Sequence, residues 1–564
     1  MKKTAIALLL AGMTASAGAQ TMYDAFNFSK SSYVGTARTV AMGNAFTALG
    51  GDPGAVAINP AGSAVARYSQ VSITPGVNIS VNTAMGTGIE SPVTGGIEGF
   101  ERNLKTSMGR FAMPNFGFSI NFDTHRISGL KNWTFGFSAE MTDCYQDDLV
   151  ARGTNSLTSL AGSLASFANG WFIDDLAADN AYDMVPVSDW RAVAALQSGI
   201  IGLVPLLPGQ TEDQGPTDQY IGVTENAVEA SDLDGNRWWE IGLPSGAVLD
   251  QTFARRTTGS KYDYIINFGG NFSDKVFVGV NLGITSLNYS HQYYIRETAQ
   301  DPDFFETGFS SMKYEYGYSA SGIGIYGKFG VIVTPVAGLR LGAAVRTPTS
   351  TTISERWHLG AEQTSFGADY QSGHSESPEG QYEYRLVSPF SFNVGAAYTF
   401  GNFGLVSLDY EACNYRSMKF VERSTNDNSA FDGVNADIRS NMGLEHEFRI
   451  GAEIKPIQCL AIRAGYNFRT SALPADREYE NQYIWERAEG NTSSAALGLG
   501  YSSKGSFFAD AAVRMTRYAD TYIYPYDYWQ YDGSQLIADT SVAVPEILSK
   551  RTLWNVLLTV GFRF

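Results

Sequence analysis

The chain has 564 residues, with 57 Asp and Glu against 40 Lys and Arg and a net charge of −17, which excludes nucleic-acid recognition through a basic face. Aromatic residues make up 13% and Gly numbers 59, while charged residues reach only 17%, below the roughly 25% of soluble proteins. After residue 20 no run of about 18 apolar residues occurs, so membrane-spanning helices are excluded, and a hydrophobic content of 44% argues against disorder.

In chain order, Lys2-Lys3, an apolar stretch from Ala5 to Met13 and Ala17-Gly18-Ala19 form a basic start, a short apolar run and a cleavage site. Residues 1–19 therefore read as a signal peptide, and the exported chain is expected to begin at Gln20. Residues 20–66 do not alternate. They are small and mostly uncharged, with turns at Asp52-Pro53-Gly54 and Asn59-Pro60-Ala61-Gly62. This stretch is expected to fold back as a plug.

From residue 67 onward the pattern changes to period two. Phe116, Phe118, Ile120 and Phe122 alternate with Gly117, Ser119 and Asn121, and Trp554, Val556, Leu558, Val560, Phe562 and Phe564 alternate with mostly polar or small residues. The second face is Gly, Ser, Asn and Thr rather than a richly charged surface, which suits the lumen of a barrel. Strands are expected near 68–83, 112–123, 130–146, 254–272, 274–297, 309–333, 337–357, 375–399, 402–424, 441–455, 457–471, 491–503, 505–521 and 551–564. Tight links such as Ser273-Asp274 and Gly401-Asn402 alternate with long ones, the largest being 147–253. The expected fold class is all-β: a 14-stranded antiparallel transmembrane β-barrel over 67–564, with an N-terminal lumenal hatch over 20–66 and a partly helical extracellular loop. Both termini are then periplasmic.

The loop 147–253 carries two amphipathic stripes. Leu157, Leu160, Leu164 and Phe167 recur at helical spacing before Trp171 and Phe172; Trp190, Val193, Leu196, Ile200 and Leu203 form the second. Such faces either form a capture groove for apolar ligands or pack on each other and on the barrel rim. Asp232-Leu233-Asp234-Gly235-Asn236 hints at calcium, but it lacks the EF-hand glycine and final glutamate and reads as an Asx turn. Tyr518, Tyr522, Tyr524, Tyr526, Tyr528 and Trp529 read as an interfacial girdle or as a ring-stacking surface. Cys144, Cys413 and Cys459 neither pair completely nor stand at metal-ligand spacing, and the five histidines are dispersed, so no metal and no cofactor is expected.

Gly35-Thr36-Ala37-Arg38, Met42-Gly43-Asn44-Ala45-Phe46, Gly50-Gly51-Asp52, Asn59-Pro60-Ala61 and the later segments Leu339–Pro348, Phe448–Glu453, Ile462–Tyr466 and Gly498–Tyr501 resemble the long-chain fatty acid transporter family of outer-membrane proteins, the FadL/TodX type. The resemblance covers most of the exported chain. It implies a fourteen-stranded barrel, an N-terminal hatch and passive uptake of hydrophobic small molecules, fatty acids foremost, across the outer membrane of a Gram-negative bacterium. Outer-membrane lipid is an implied partner, and the terminal Phe564 resembles the signal that the barrel assembly machinery reads. In the hatch, Tyr23, Phe26 and Phe28 are candidates to line a ligand pocket together with Asn59, Pro60 and Ala61. Arg38 either pairs with a ligand carboxylate or pins the hatch to the wall. A haem receptor and a barrel that anchors or shuttles secreted proteins stand as alternatives; an enzyme is not expected, because no Ser/His or Asp/His cluster is seen.

Overall fold

Alternation of large apolar side chains with Asn, Ser, Thr and Gly gives each strand two unlike faces. A sheet of such strands has to hide both, one from water and one from lipid. In the computed structural model it does so by closing on itself. The structure describes residues 20–564 apart from the short segments 92–94, 212–214, 233–235, 368–369, 424–428, 476, 504–505 and 533–534. The expected signal peptide and the centre of the Asp232–Asn236 motif lie outside the described residues.

The wall is a closed antiparallel barrel of fourteen strands, several of them bent so that one wall strand comprises two segments. They are β1 (Gln70–Gly86), β2 (Leu104–Asp123), β3 (Leu130–Cys144 and Asp147–Asn155), β4 (Leu249–Phe272), β5 (Val276–Ala299), β6 (Phe309–Val336) and β7 (Leu339–Arg346 and Ser350–Ser365). The second half is β8 (Gly380–Val387 and Ser391–Phe400), β9 (Gly404–Asn414), β10 (Leu444–Ile457), β11 (Leu460–Arg469), β12 (Ile484–Glu489 and Thr492–Ser502), β13 (Phe507–Arg517 and Asp520–Tyr524) and β14 (Ile547–Arg563). β14 closes on β1, from Gln70 opposite Arg563 to Gly86 opposite Ile547. Ser69 and Phe564 exchange backbone hydrogen bonds, so the barrel begins and ends at one rim. The tight turns lie at that rim too; in one of them, the three-residue link between β4 and β5, Ser273 and Asp274 both take φ of 57°, in the left-handed region.

The barrel is inside-out by the standard of a soluble protein. Val276, Val278, Val280, Leu282 and Ile284 are exposed on its outer face, and Val556 is 44% exposed while Asn555 beside it is fully buried. That is the signature of a membrane-spanning barrel. Among the described residues no helix is long and apolar enough to cross a membrane; the strands do the crossing.

Strand lengths differ from the sequence expectation at the outer rim. β2 begins at Leu104 rather than 112, and β3 continues over Asp147–Asn155, which pairs with β4 from Asn155 opposite Leu249 to Asp147 opposite Thr257. Above the lipid, an outward side chain has no reason to be apolar. The alternation fades there while the hydrogen-bonded ladder goes on.

Residues 20–66 fill the lumen as the hatch. α1 (Met22–Ser29) starts with a capping box between Thr21 and Asp24, α2 (Ala37–Ala41) is capped by Thr36, and α3 (Ala55–Ile58) leads into a 3-10 turn over Pro60–Val65. Irregular backbone inside a barrel leaves carbonyls that need donors, and wall side chains supply them. Lys261 donates to Phe28 O (3.0 Å), Lys328 to Ala57 O (2.8 Å), Arg340 to Leu49 O (2.7 Å), and Asn267 to Pro60 O (3.0 Å). At Gly279 the wall has no side chain because a Cβ would overlap the Pro60 backbone.

The wall is not zipped along its whole height. β2 pairs with β3 only from Asn115 opposite Glu140 to Asp123 opposite Asn132. Farther up, Leu104–Ala112 keeps β1 as its ladder partner on one side. Across from it, Met141 and Thr142 of β3 turn inward and accept hydrogen bonds from Val34 N (2.9 Å) and Ser32 N of the hatch instead. The result is a local break in the ladder, a side window between β2 and β3, bridged above where Thr106 donates to Asp148 O and Arg102 N to Arg152 O (3.1 Å), and stoppered from within by a cluster of Val34, Met141 and Cys144 on which Ala112 packs.

Candidate functional site

The lumen above the hatch holds a cavity of about 200 Å³. α1 presents Tyr23 and Phe26 to it; Tyr145 comes from the β3 bend, Tyr289 and His291 from β5, and Tyr479 from the link before β12. Tyr23 stacks on Tyr479 with centroids 5.0 Å apart, and Phe26 meets Tyr415 edge-on at 5.0 Å. The cavity also touches Val34, Asp143 and Cys144. Its floor is therefore the inner side of the window.

The cavity is not the apolar pocket expected of a carrier of hydrophobic molecules. Lys30, Arg255, Arg469, Arg514 and Arg551 line it together with Asp143, Asp147, Glu445, Glu447 and Glu486. Most of these groups are matched. Arg255 pairs with Glu486 and, at 3.5 Å, with Asp147; Arg551 lies 3.6 Å from Asp147 on the other side; Arg469 pairs with Glu447 (3.2 Å) and Glu445 (3.6 Å). Lys30 sits 3.8 Å from Asp143, and its amine lies over the rings of Tyr145 and Phe26. Burial pulls this ammonium below its usual range, against the opposing pull of Asp143. Asp24, on the hidden side of α1, is pushed up to about 6 by burial even though Thr21 and Gln482 donate to it.

Other sequence candidates fall elsewhere. Phe28 packs edge-on against Tyr289 at 5.4 Å and is buried without lining the cavity. Asn59, Pro60 and Ala61 lie deep against the wall: Asn59 Nδ2 donates to Thr47 O (2.6 Å), and Ala61 N donates to Asn59 Oδ1 (3.0 Å). That turn holds the hatch and lies away from the cavity. Arg38 meets Glu453 at 3.3 Å near the rim that carries the chain ends, and Glu453 also accepts from Arg463 Nε at 2.6 Å. Lys30, Arg255, Tyr289, Glu486 and Arg551 escaped the sequence reading. They stand on inward faces beyond the apolar pattern, and no local spacing marks which inward residues converge.

The outer loop forms a cap. α4 (Leu160–Ala168) and α5 (Trp190–Gln197) bury Leu160, Leu164, Phe167, Trp190 and Val193, and Ile200 follows them inside. Leu157, Trp171, Leu196 and Leu203 are half-buried, and Phe172 is 50% exposed. The two stripes thus pack on each other and on the rim, and Phe172 is the one residue of the set left open. Tyr526 and Tyr528 join this cap and not an interfacial girdle: Tyr526 is buried, accepting from Gln251 Nε2 (2.8 Å) and Asn155 Nδ2 (3.1 Å). Among the five histidines, His291 alone lines the cavity. Groups of three or more metal-ligating side chains are absent among the described residues.

A closed barrel, greasy outside and stoppered inside by its own N-terminal segment, defines a membrane-spanning β-barrel with a filled lumen. No family model matches the chain, and no curated protein matches it. Among solved structures it is similar to a Pseudomonas aeruginosa FadL homologue at 10% identity, over 94% of this chain and 98% of that one, with a TM-score of 0.49. The Ralstonia pickettii toluene transporter TbuX is 13% identical over 96% of this chain and 100% of its own, with a TM-score of 0.44. The P. putida toluene transporter TodX is 11% identical over 94% and 98%, with a TM-score of 0.45. Likeness at this level says nothing of what this chain carries, which has to be argued from its own cavity.

Proposed function

We propose that this barrel is a passive outer-membrane channel that takes up hydrophobic molecules, long-chain fatty acids foremost. One observation supports it above the rest: the lumenal cavity is lined by Val34 and Cys144, two of the residues that stopper the side window. A molecule held there is one hatch movement from the lipid.

Cargo settles among Tyr23, Phe26, Tyr145 and Tyr289. The cavity of about 200 Å³ is smaller than the roughly 300–1,000 Å³ of ordinary ligand sites, so a long chain has to displace part of the hatch. Withdrawal of Ser32–Val34 from Thr142 and Met141 breaks two backbone hydrogen bonds, at a net cost of about 1–3 kcal/mol in all. The cargo then leaves between β2 and β3 into outer-membrane lipid. No step consumes energy. The rim where β1 begins and β14 ends faces the periplasm in this reading, while Gln20 is buried in the lumen with its amide on Glu355, and Phe564 is what the barrel assembly machinery engages.

The test is uptake of labelled oleate by liposomes carrying the purified protein. Uptake equal to that of protein-free liposomes refutes transport. In a Cys144→Ser background, cysteines at Ala112 and Met141 joined by a cleavable bis-maleimide lock the window. Uptake should fall to the protein-free rate and return on cleavage. Unchanged uptake in the locked barrel refutes the side exit.

A further inference from the structure

Two buried carboxylates stand where the hatch meets the wall with no cation beside them. Glu355, from β7, is 1% exposed, and Asp24, from α1, is 2% exposed. Their partners are neutral. Tyr318 Oη donates to Glu355 (2.7 Å) and so does the side-chain amide of Gln20, while Thr21 N and Gln482 Nε2 donate to Asp24 at 3.0 and 3.2 Å. Among the described residues no Lys, Arg or His nitrogen lies within 4.0 Å of either carboxylate. Asp24 is near enough for its charge to be felt at Glu355.

Two carboxylates taken out of water together need a counter-charge. The chain itself supplies one. Gln20 is buried beside Glu355, and its backbone nitrogen is one residue from Thr21 N, which donates to Asp24. Gln20 is also the first residue after the Ala17-Gly18-Ala19 cleavage sequence. Hydrolysis of the Ala19–Gln20 bond by a leader peptidase consumes one water. The water oxygen goes to Ala19, which leaves as a carboxylate, and both protons go to the Gln20 nitrogen, which becomes an α-ammonium. The positive end of α1, which begins at Met22, repels such a charge, so carboxylates have to hold it there.

We infer that removal of the leader completes the hatch: the new α-ammonium of Gln20 forms a buried ion pair with Glu355 and ties α1 to β7. The unprocessed chain offers Glu355 and Asp24 only a neutral amide there and holds α1 more loosely. The pair also protects the terminus. A free amine on a terminal glutamine attacks its own Cδ, expels the side-chain nitrogen as ammonia and leaves an uncharged lactam. Kept protonated by Glu355, the nitrogen has no lone pair with which to attack. The inference holds whatever the barrel carries.

The test is mass spectrometry of the N-terminal peptide of the barrel purified from outer membranes, which should begin at Gln20 with its amine intact. In non-ionic detergent at pH 8, loss of ammonia from Gln20 over days should be slower in the folded wild type than in the same chain unfolded in urea by on the order of tenfold or more, since a buried terminus reacts only when α1 opens. Glu355→Gln should cyclise near the unfolded rate, and Glu355→Asp, which keeps the charge, should stay closer to the wild type. Wild type cyclised while unfolded and then refolded lacks the ammonium; its amides in 22–29 should exchange on the order of tenfold faster than those of the uncyclised barrel, and adding Glu355→Gln should loosen them no further. The comparison of cyclised with uncyclised wild type decides the matter if Glu355→Gln fails to form a heat-modifiable barrel. A purified barrel that begins elsewhere, one whose Gln20 is already cyclised, a Glu355→Gln barrel that cyclises as slowly as the wild type, or equal exchange in 22–29 with and without the ammonium overturns the inference.

Discussion

The bond that holds the hatch to the wall is open to a direct perturbation, Glu453→Gln. Glu453 is 2% exposed and is shared by three cations, Arg38 of α2 at 3.3 Å, Arg463 of β11 at 2.6 Å and the half-exposed Lys455 at 3.6 Å. Arg463 keeps a second partner in Asp510, but Arg38 keeps only the more distant charges of Asp52 and Asp510 and a position over the ring of Phe46. Removing one member of a buried ion pair costs about 3–5 kcal/mol when the other is left without compensation. Arg38 is about one-fifth exposed, and glutamine still accepts one hydrogen bond, so the loss should fall near 2–3 kcal/mol. At about 1.4 kcal/mol per tenfold, the hatch should open roughly 30–150 times more often. Hydrogen exchange of the amides in 37–46, followed by mass spectrometry in detergent, reads this directly, with the distant β4–β5 ladder as the internal control. The double variant Arg38→Gln/Glu453→Gln should be no looser than Glu453→Gln alone, because both remove the same pair. A change of less than about threefold in the hatch, or equal loosening of hatch and ladder, would refute the pin.

Two further outcomes follow from the cap and the wall. Glu225 accepts from Gly222 N at 2.9 Å under the outer cap, and burial pushes its carboxyl up to about 7. A raised carboxyl stabilises the folded cap fully below its ordinary range and loses that contribution as pH rises from about 4.5 to about 7, some 3 kcal/mol in all. Limited proteolysis within 205–245 should therefore be slower at pH 5 than at pH 8, and Glu225→Gln should flatten the difference; a wild-type rate independent of pH counts against it. Gly279→Ala places a methyl group on the Pro60 backbone, so it should raise exchange in 55–65 by on the order of tenfold or more, an overpacking cost of about 1–3 kcal/mol. Protection as in the wild type would mean that the hatch does not rest where it is placed.

Much of the architecture was legible because period-two alternation is a local property. Trp554, Val556 and Leu558 face out and Asn555 and Thr559 face in, as the pattern says. The hatch was legible from small residues and fixed turns. The upper wall was not, since β3 beyond Asp147 and β2 before 112 rise past the lipid, where nothing forces one face to be apolar. The loop stripes were visible as amphipathic helices, but a stripe does not say what it packs on; here Leu164, Phe167 and Val193 pack within the cap.

The amino-acid order by itself determined that this chain makes a barrel with a greasy exterior and a plugged interior, because each strand meets lipid and lumen at alternate residues. Which inward charges neutralise one another and where the wall stays unzipped were decided only by closure of the sheet. Arg514 and Tyr33 are 481 residues apart in sequence, and only the curvature of the barrel brings them to one place.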